Sequence, residues 1–196
     1  MKTIFNQAYE QSMSYQEFLD LMDEKIKDGL STGHEQNEIL SNFTKLNRSR
    51  MKRVTKTVEL LPELTEKIQN ITEKQIWLVL TESWCGDAAQ SVPVLNLIAE
   101  SSPNIELRIV LRDDNDPLMQ QYLTNGGRSI PKLIAIDASK ENELFTWGPR
   151  PEKGTAFFLE QKEKFGGVTA EVKEALQKWY NDDQGQSLQQ DILKQY

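Results

Sequence analysis

The chain has 196 residues, of which 38% are hydrophobic and 27% are charged, an ordinary composition for a globular protein with one domain and additions. Its formal net charge of −7 argues against nucleic acid as the main partner. The N-terminus lacks an apolar core of signal-peptide length, and the longest apolar run, Ile76–Leu80, is far too short to cross a bilayer. One cysteine excludes an internal disulfide. From these features together we expect a cytoplasmic protein without a membrane partner.

The first third of the chain predicts a helical extension, which we assign to residues 1–59, ahead of a main domain over residues 60–196. Ser14 and Glu17 fit a capping box before a run of apolar residues at helical spacing, and Gly29 is a suitable stop. The next helical pattern indicates either one broken helix or two consecutive helices. Pro62 either ends this pattern or opens a short helix.

The extension is asymmetric in charge, because acidic residues dominate its first part and basic residues dominate from Lys45 to Lys56. The plainer interpretation is a helical hairpin whose solvated faces are partly complementary. The alternative hypothesis places the basic segment beside Cys85. There, Arg50 and Arg53 would lower the pKa of the thiol and receive an anionic thiol or peptide.

The chain is organised around residues 76–90, where a buried strand is followed directly by a helix. The apolar run that starts at Ile76 is typical of a strand covered on both faces, and from Gly86 the apolar residues recur at helical spacing. Cys85 therefore precedes a helix N-terminus, where free N–H groups and the helix dipole stabilise a thiolate. We expect a reactive thiol of lowered pKa, although Asp87 opposes this and an inert buried cysteine is the alternative.

The remaining pattern alternates strands and helices. We predict a strand over residues 105–111, a helix capped by Asp116 with Pro117 at its first position, and a strand over residues 132–136. The carboxylates around Asp116 lack the glycine and the spacing of a calcium loop, so no metal site is predicted there.

An edge strand over residues 144–147 and two further helices complete the predicted elements. The first of these helices, from residue 152 to 165, is expected to bury Phe158, Leu159 and Phe165. Thr169 caps the second, and one or two more helical turns follow near Leu188.

Two motifs together carry a resemblance to a known family. Trp84-Cys85-Gly86 after an apolar strand, followed some 40 residues later by Ile130-Pro131 before another apolar strand, resembles the thioredoxin superfamily. The resemblance covers roughly residues 60–180. It implies an α/β thioredoxin-like fold with a central mixed sheet of about four strands flanked by helices, and a cis peptide bond before Pro131. It also implies a site in which the catalytic thiol is Cys85 and the substrate-binding residues are Trp84, Gly86, Asp87, Ile130 and Pro131.

The sequence departs from the family pattern at two positions. Ala88 stands where two-cysteine members carry the resolving thiol, so the motif reads Cys-Gly-Asp-Ala. Val79 stands where these members carry the buried acid that serves that thiol. The acid and the second thiol are absent together, which indicates a single-thiol version of the site.

Three functions are compatible with this site, and whether the protein is an enzyme stays open. In the first, Cys85 exchanges with protein disulfides or low-molecular-weight thiols, and an external thiol resolves the mixed disulfide. In the second, the groove beside the cis-proline loop binds a peptide without catalysis. The third, an iron–sulfur carrier, is least favoured because the residues after Cys85 do not match the cluster-binding pattern. We predict no cofactor. His34 lies far from Cys85 in the sequence, so a surface or capping role is favoured over that of a catalytic base.

Overall fold

The structure, a computed structural model, describes residues 3–196 and contains a four-stranded mixed sheet. The strands are β1 (Gln75–Thr81), β2 (Ile105–Leu111), β3 (Lys132–Asp137) and β4 (Glu143–Trp147), in the spatial order β2-β1-β3-β4. β1 runs parallel to β2 and antiparallel to β3, which in turn runs antiparallel to β4. The predicted α/β fold with a mixed sheet flanked by helices is confirmed.

β1 and β3 lie at the centre of the sheet because both are apolar on both faces. In β1 the side chains of Trp77, Val79 and Leu80 are fully buried, as a strand covered on both sides requires. β4 is an edge strand, and only its last residue, Trp147, is buried. The apolar strands thus lie at the centre of the sheet, and the more polar β4 lies at its edge.

Within residues 3–196, four helices precede the sheet: α1 (Ile4–Glu10), α2 (Tyr15–Lys27), α3 (Glu38–Thr57) and α4 (Pro62–Gln69). The predicted capping box of α2 is present, since the Ser14 hydroxyl accepts a hydrogen bond from Glu17 N and the Glu17 carboxylate accepts one from Ser14 N. Gly29 follows α2 with a φ of +70°. α3 is one unbroken helix, so the prediction of one broken helix or two consecutive helices is wrong. Of the two alternatives for Pro62, the structure shows that it opens α4.

The N-terminal helices share one hydrophobic core with the sheet. Phe18 of α2 and Met51 of α3 are buried in the same cluster as the central strands. The segment between α1 and α2 also extends the sheet, because Met13 and Ile109 exchange two backbone hydrogen bonds of 2.9 and 2.7 Å along the edge of β2. Residues 1 and 2, the start of the assigned extension, lie outside the described residues.

α5 (Gly86–Glu100) follows β1 directly and packs against α3 and β2. The short α6 (Asp116–Met119) follows β2. Its N-cap is Asn115, so the prediction of Asp116 as the cap is wrong. Pro117 is accepted at the second helical position because the backbone N–H groups of the first turn have no partner within the helix, so the missing N–H of proline costs no hydrogen bond there. The Asp116 carboxylate instead lies 3.1 Å from Arg128 Nε.

Three helices follow β4: α7 (Glu152–Lys164), α8 (Ala170–Asp183) and α9 (Gln186–Leu193). The prediction that Leu159 and Phe165 are buried is wrong, because 55% and 42% of their surfaces are exposed, and Phe158 is half-buried. α7 instead directs Phe157 toward α8, where its ring stacks on Trp179 at a centroid distance of 6.3 Å.

α8 and α9 differ in how they join the rest of the molecule. Thr169 caps α8 as predicted, and α8 packs against α7. Val172 and Leu176 of α8 are buried. α9 returns to the main core, where Leu188 and Ile192 are buried. No helix within residues 3–196 combines the length and the apolar composition needed to cross a membrane.

Candidate functional site

Cys85 lies at the junction of β1 and α5, where it forms the N-cap of the helix. Its thiol donates a hydrogen bond to Ile130 O over 3.3 Å, and Ala88 N donates one to Sγ over 3.5 Å. The peptide bond between Ile130 and Pro131 is cis. The fold thus brings together the Cys85 turn and the Ile130-Pro131 loop, which are 45 residues apart in the chain.

The thiol of Cys85 is buried, and only 7% of the residue is exposed. Burial, and after it the negative charge of Asp87, raise the pKa of Cys85 to about 12. The N–H groups of Ala88 and Asp87 and the charge of Arg150 act in the opposite direction. The expectation of a lowered pKa is therefore wrong, because the loss of hydration outweighs the stabilisation by the helix N-terminus.

Asp87 is held by two side chains from distant parts of the chain. Arg150 Nη2, from the loop after β4, lies 2.7 Å from Asp87 Oδ2, and the Tyr180 hydroxyl of α8 donates a hydrogen bond to Oδ1 over 3.0 Å. Burial raises the pKa of Asp87, while both partners oppose that rise. Burial and the carboxylate raise the pKa of Tyr180 well above its usual value. The sequence pointed to Asp87 but not to its partners, since nothing in the pattern relates residues 150 and 180 to it.

α8 covers the first turn of α5 through polar contacts. Gln177 Nε2 donates a hydrogen bond to Gly86 O over 3.4 Å, and Gln90 Nε2 donates one to Gln177 Oε1 over 3.0 Å. A methyl group on Gly86 would lie only 3.2 Å from Gln177 Nε2. The glycine of the motif therefore leaves room for the side chain that closes the site on this side.

A buried polar network fixes Ser83, two residues before Cys85, to the N-terminal extension. Ser83 Oγ accepts hydrogen bonds from Thr32 N and Thr32 Oγ1 over 2.9 and 3.1 Å and lies 2.8 Å from the Thr44 hydroxyl. Asn47 Nδ2 donates to Ser83 O over 3.0 Å. Sequence reasoning missed this network, although Thr44 and Asn47 share the helix face of buried Met51 and gave a signal.

A buried acid, Glu82, directly follows β1. Its Oε1 accepts a hydrogen bond from Asp113 N over 2.9 Å, and burial raises its pKa. Gly33 of the extension approaches this pair so closely that a methyl group on it would lie 2.6 Å from Asp113 Oδ2. Glu82 thus joins the end of β1 to the loop after β2, and Gly33 packs against both.

The residues expected to line the substrate side of Cys85 differ in exposure. Trp84 is half-buried, and the Arg112 guanidinium lies over its ring at 4.9 Å from the centroid. Ile130 and Pro131 are both buried. Of these three residues, Trp84 keeps an exposed part beside the turn.

The carboxylates of the loop after β2 have arginine or histidine side chains as partners. Asp113 lies 2.8 Å from Arg112 and 3.4 Å from Arg128, and Asp114 Oδ1 lies 3.0 Å from His34 Nε2. Across residues 3–196 no group of three His, Cys, Asp or Glu side chains is placed to hold a metal ion. His34 is exposed and contacts this loop, so it supplies no base to Cys85.

The basic part of α3 lies beside the Cys85 turn, since a methyl group on Gly86 would lie 3.8 Å from Arg50 Nη1. The arginine whose charge lowers the pKa of Cys85 is nevertheless Arg150, and its effect is smaller than that of burial and Asp87. The part of the hypothesis that assigned a lowered thiol pKa to this segment is therefore wrong. The basic segment does lie beside the Cys85 turn, at Gly86.

The mixed sheet in the order β2-β1-β3-β4, with a cysteine at a helix N-cap beside the loop before β3, defines a thioredoxin-like protein. A family model described as thioredoxin matches residues 33–182, which is more than half of the chain. The chain belongs to the thioredoxin family. The match begins inside the segment that the sequence assigned to the extension.

Two solved structures resemble this chain. A protein of unknown function from Pseudomonas aeruginosa is 22% identical, with a TM-score of 0.60 over 93% of this chain and 96% of that chain. An HIV epitope scaffold is 20% identical, with a TM-score of 0.57 over 93% of this chain and 97% of that chain. At these identities the likeness shows the fold alone. No curated protein matches the sequence.

Proposed function

We propose that this protein carries out thiol–disulfide exchange through Cys85 as its single thiol. The supporting observation is the contact of 3.3 Å between Cys85 Sγ and Ile130 O at the N-cap of α5. A partner segment that pairs with the backbone of Ile130 would bring its own sulfur next to Cys85. Because a single thiol stays reduced in the cytosol, we assign the reaction to that compartment.

The exchange proceeds in two steps. The Cys85 thiolate attacks one sulfur of a protein disulfide or of a mixed disulfide with a low-molecular-weight thiol. A bond forms between Cys85 and that sulfur, the original S–S bond breaks, and the other sulfur leaves as a thiolate. Since Ala88 supplies no second thiol, a thiolate from outside the chain then attacks the mixed disulfide and releases Cys85 as a thiolate.

The resting site is closed to this reaction. Because burial raises the pKa of Cys85, the thiol is almost entirely protonated at pH 7. The reaction therefore follows binding, when a partner replaces the hydrogen bond to Ile130 O or displaces α8 from the first turn of α5. Rehydration of the thiol then lowers its pKa.

A second candidate is a non-catalytic binding module that uses the groove beside the cis-proline loop. The observation that favours it is the burial of Cys85 together with its raised pKa. In this function the thiol is structural, and a partner peptide is held by the backbone around Ile130.

Intact-mass measurement after mild treatment with a small disulfide distinguishes the two candidates. We expect one thiol adduct on the folded protein, no adduct on Cys85→Ser, and removal of the adduct by added thiol. Near-UV circular dichroism checks that the fold is native throughout. Exchange is overturned if the folded protein forms no adduct with small or peptide disulfides up to pH 9. Peptide binding that is equal in the wild type and in Cys85→Ser would then establish the binding module.

A further inference from the structure

An exposed apolar stripe runs along α3 toward the Cys85 turn. Ile39, Phe43 and Leu46 are 67%, 38% and 45% exposed, whereas Met51 on the inner side of the same helix is buried. Their spacing of four and three residues places them on one side of the helix. The side that faces solvent next to the site is therefore apolar over two turns.

Two arginines continue this stripe at the same spacing, and their charges are not compensated. Arg50 Nη1 donates a hydrogen bond to the amide oxygen of Asn47 over 3.0 Å. Arg53 Nη2 donates to the amide oxygens of Gln90 and Asn181 over 3.0 and 2.7 Å. Across residues 3–196 neither arginine forms a salt bridge.

A comparison within α3 shows that this lack of acidic partners is local. Arg48, on the other side of the helix, lies 2.9 Å from the Asp23 carboxylate. Arg50 and Arg53 instead lie close enough to repel each other, and burial together with Arg53 lowers the pKa of Arg50. A carboxylate placed between these two guanidiniums would relieve the repulsion and accept charge-assisted hydrogen bonds.

We propose that the protein partner of Cys85 docks on the surface formed by Ile39, Phe43, Leu46, Arg50 and Arg53, which we call the α3 stripe. The partner segment carries apolar side chains and, nearer to its reactive sulfur, a carboxylate. This inference rests on the proposed exchange function and names its class of substrate.

The length and the charge of the α3 stripe both point to a polypeptide. From residue 39 to residue 50 the helix rises about 16 Å, which is longer than a small thiol spans. α3 carries six basic residues and one acidic residue in a chain of net charge −7. An acidic partner is therefore attracted to this helix and repelled by the rest of the surface, which orients it toward Cys85.

Activated peptide disulfides test the proposal. Three matched peptides carry one cysteine as a mixed disulfide with a chromophoric thiol: one apolar and acidic, one apolar with amides in place of the acids, and one polar and acidic. Release of the chromophore gives the rate of mixed-disulfide formation on Cys85. We expect the apolar acidic peptide to react at least tenfold faster than either of the others.

Two charge variants provide the matched comparison. Arg50→Gln/Arg53→Gln removes two charges from the α3 stripe, and Lys45→Gln/Lys52→Gln removes two charges from the other side of α3. We expect the first pair to abolish the preference for the acidic peptide over the amide peptide and the second pair to leave it unchanged. Phe43→Ser/Leu46→Ser should remove the preference for the apolar peptide over the polar one.

Several outcomes would contradict the proposal that the α3 stripe is a docking surface. These are equal rates for the three peptides, equal effects of the two charge variants, or a small acidic disulfide that reacts as fast as the best peptide. If no disulfide reacts at all, exchange itself fails. In that case, each peptide is made with serine in place of its cysteine, and its binding to Cys85→Ser is measured by fluorescence anisotropy. This tests the α3 stripe independently of disulfide exchange.

Discussion

Arg150 and Asp87 form an ion pair of 2.7 Å next to the single thiol of the chain. Their effects on Cys85 oppose each other, because the carboxylate raises the pKa of the thiol and the guanidinium lowers it. The pair links the loop after β4 to the first turn of α5. We therefore expect the charge balance at this pair to influence the reactivity of Cys85.

Replacement of Asp87 by Asn should accelerate alkylation of Cys85 at pH 8. The substitution removes the charge that raises the pKa of the thiol and leaves Arg150 to lower it. If the pKa falls by one unit, the rate rises about tenfold, because the thiolate fraction rises by that factor. The substitution should also cost about 1–3 kcal/mol of stability, since the partly buried guanidinium of Arg150 loses its charged partner.

Asp182→Asn, an exposed carboxylate on α8, is the control for this experiment and should leave the rate unchanged. Alkylation is followed by mass spectrometry and folding by near-UV circular dichroism. An unchanged rate in a folded Asp87→Asn protein would contradict the assigned effect of the carboxylate.

The stability of the protein should fall with pH above about 8.5 in a way that depends on Cys85. In the unfolded chain the thiol loses its proton near pH 8.5, whereas in the folded state burial raises its pKa to about 12. Between these values the folded state holds one more proton, so the free energy of unfolding falls by roughly 1.4 kcal/mol per pH unit.

Urea unfolding of the wild type and of Cys85→Ser from pH 7 to pH 10 measures this contribution. The two profiles should run parallel below pH 8 and diverge above it, with the wild type falling more steeply. Parallel profiles over the whole range would show that the folded state does not hold the proton.

Ser83→Ala should destabilise the protein by about 1–3 kcal/mol, because Thr32 N and the hydroxyls of Thr32 and Thr44 lose a buried partner. Ser49→Ala on the exposed side of α3 is the matched control and should stay within about 0.5 kcal/mol. Urea unfolding at pH 7 measures both. Equal effects of the two substitutions would show that the network does not tie the extension to the Cys85 turn.

Gly148→Ala should cost more than about 3 kcal/mol. Gly148 has a φ of +113°, and an added methyl group would overlap Pro131 O. Gly166, with a φ of +70° and no atom near the added methyl group, is the control, and its replacement by alanine should cost about 1–2 kcal/mol. Because the overlap displaces the loop that contacts Cys85, we also expect faster alkylation in Gly148→Ala alone. Similar stabilities of Gly148→Ala and Gly166→Ala would contradict the predicted overlap with Pro131 O.

Local patterns in the sequence predicted most of the elements around the site. The apolar run from Ile76 predicted β1, the capping box at Ser14 predicted α2, and residues 105–111 match β2. These features depend on short-range spacing and on backbone hydrogen bonds within a few residues. Predictions failed where packing between distant elements decides burial, as at Leu159 and Phe165, whose neighbours in space are not visible in the pattern.

The sequence by itself determined that this is an α/β protein with a single thiol at the junction of a buried strand and a helix. It also determined that the chain itself supplies no second thiol to resolve a disulfide at this site, because it contains one cysteine. The tertiary structure alone decided the environment of that thiol. The first turn of α5 is contacted by Arg150, Tyr180 and Gln177, which come from segments more than 60 residues away, and Cys85 at the start of this turn is buried. Since the pKa of a thiol depends on its hydration and on charges brought close by folding, local sequence predicted the wrong direction for Cys85.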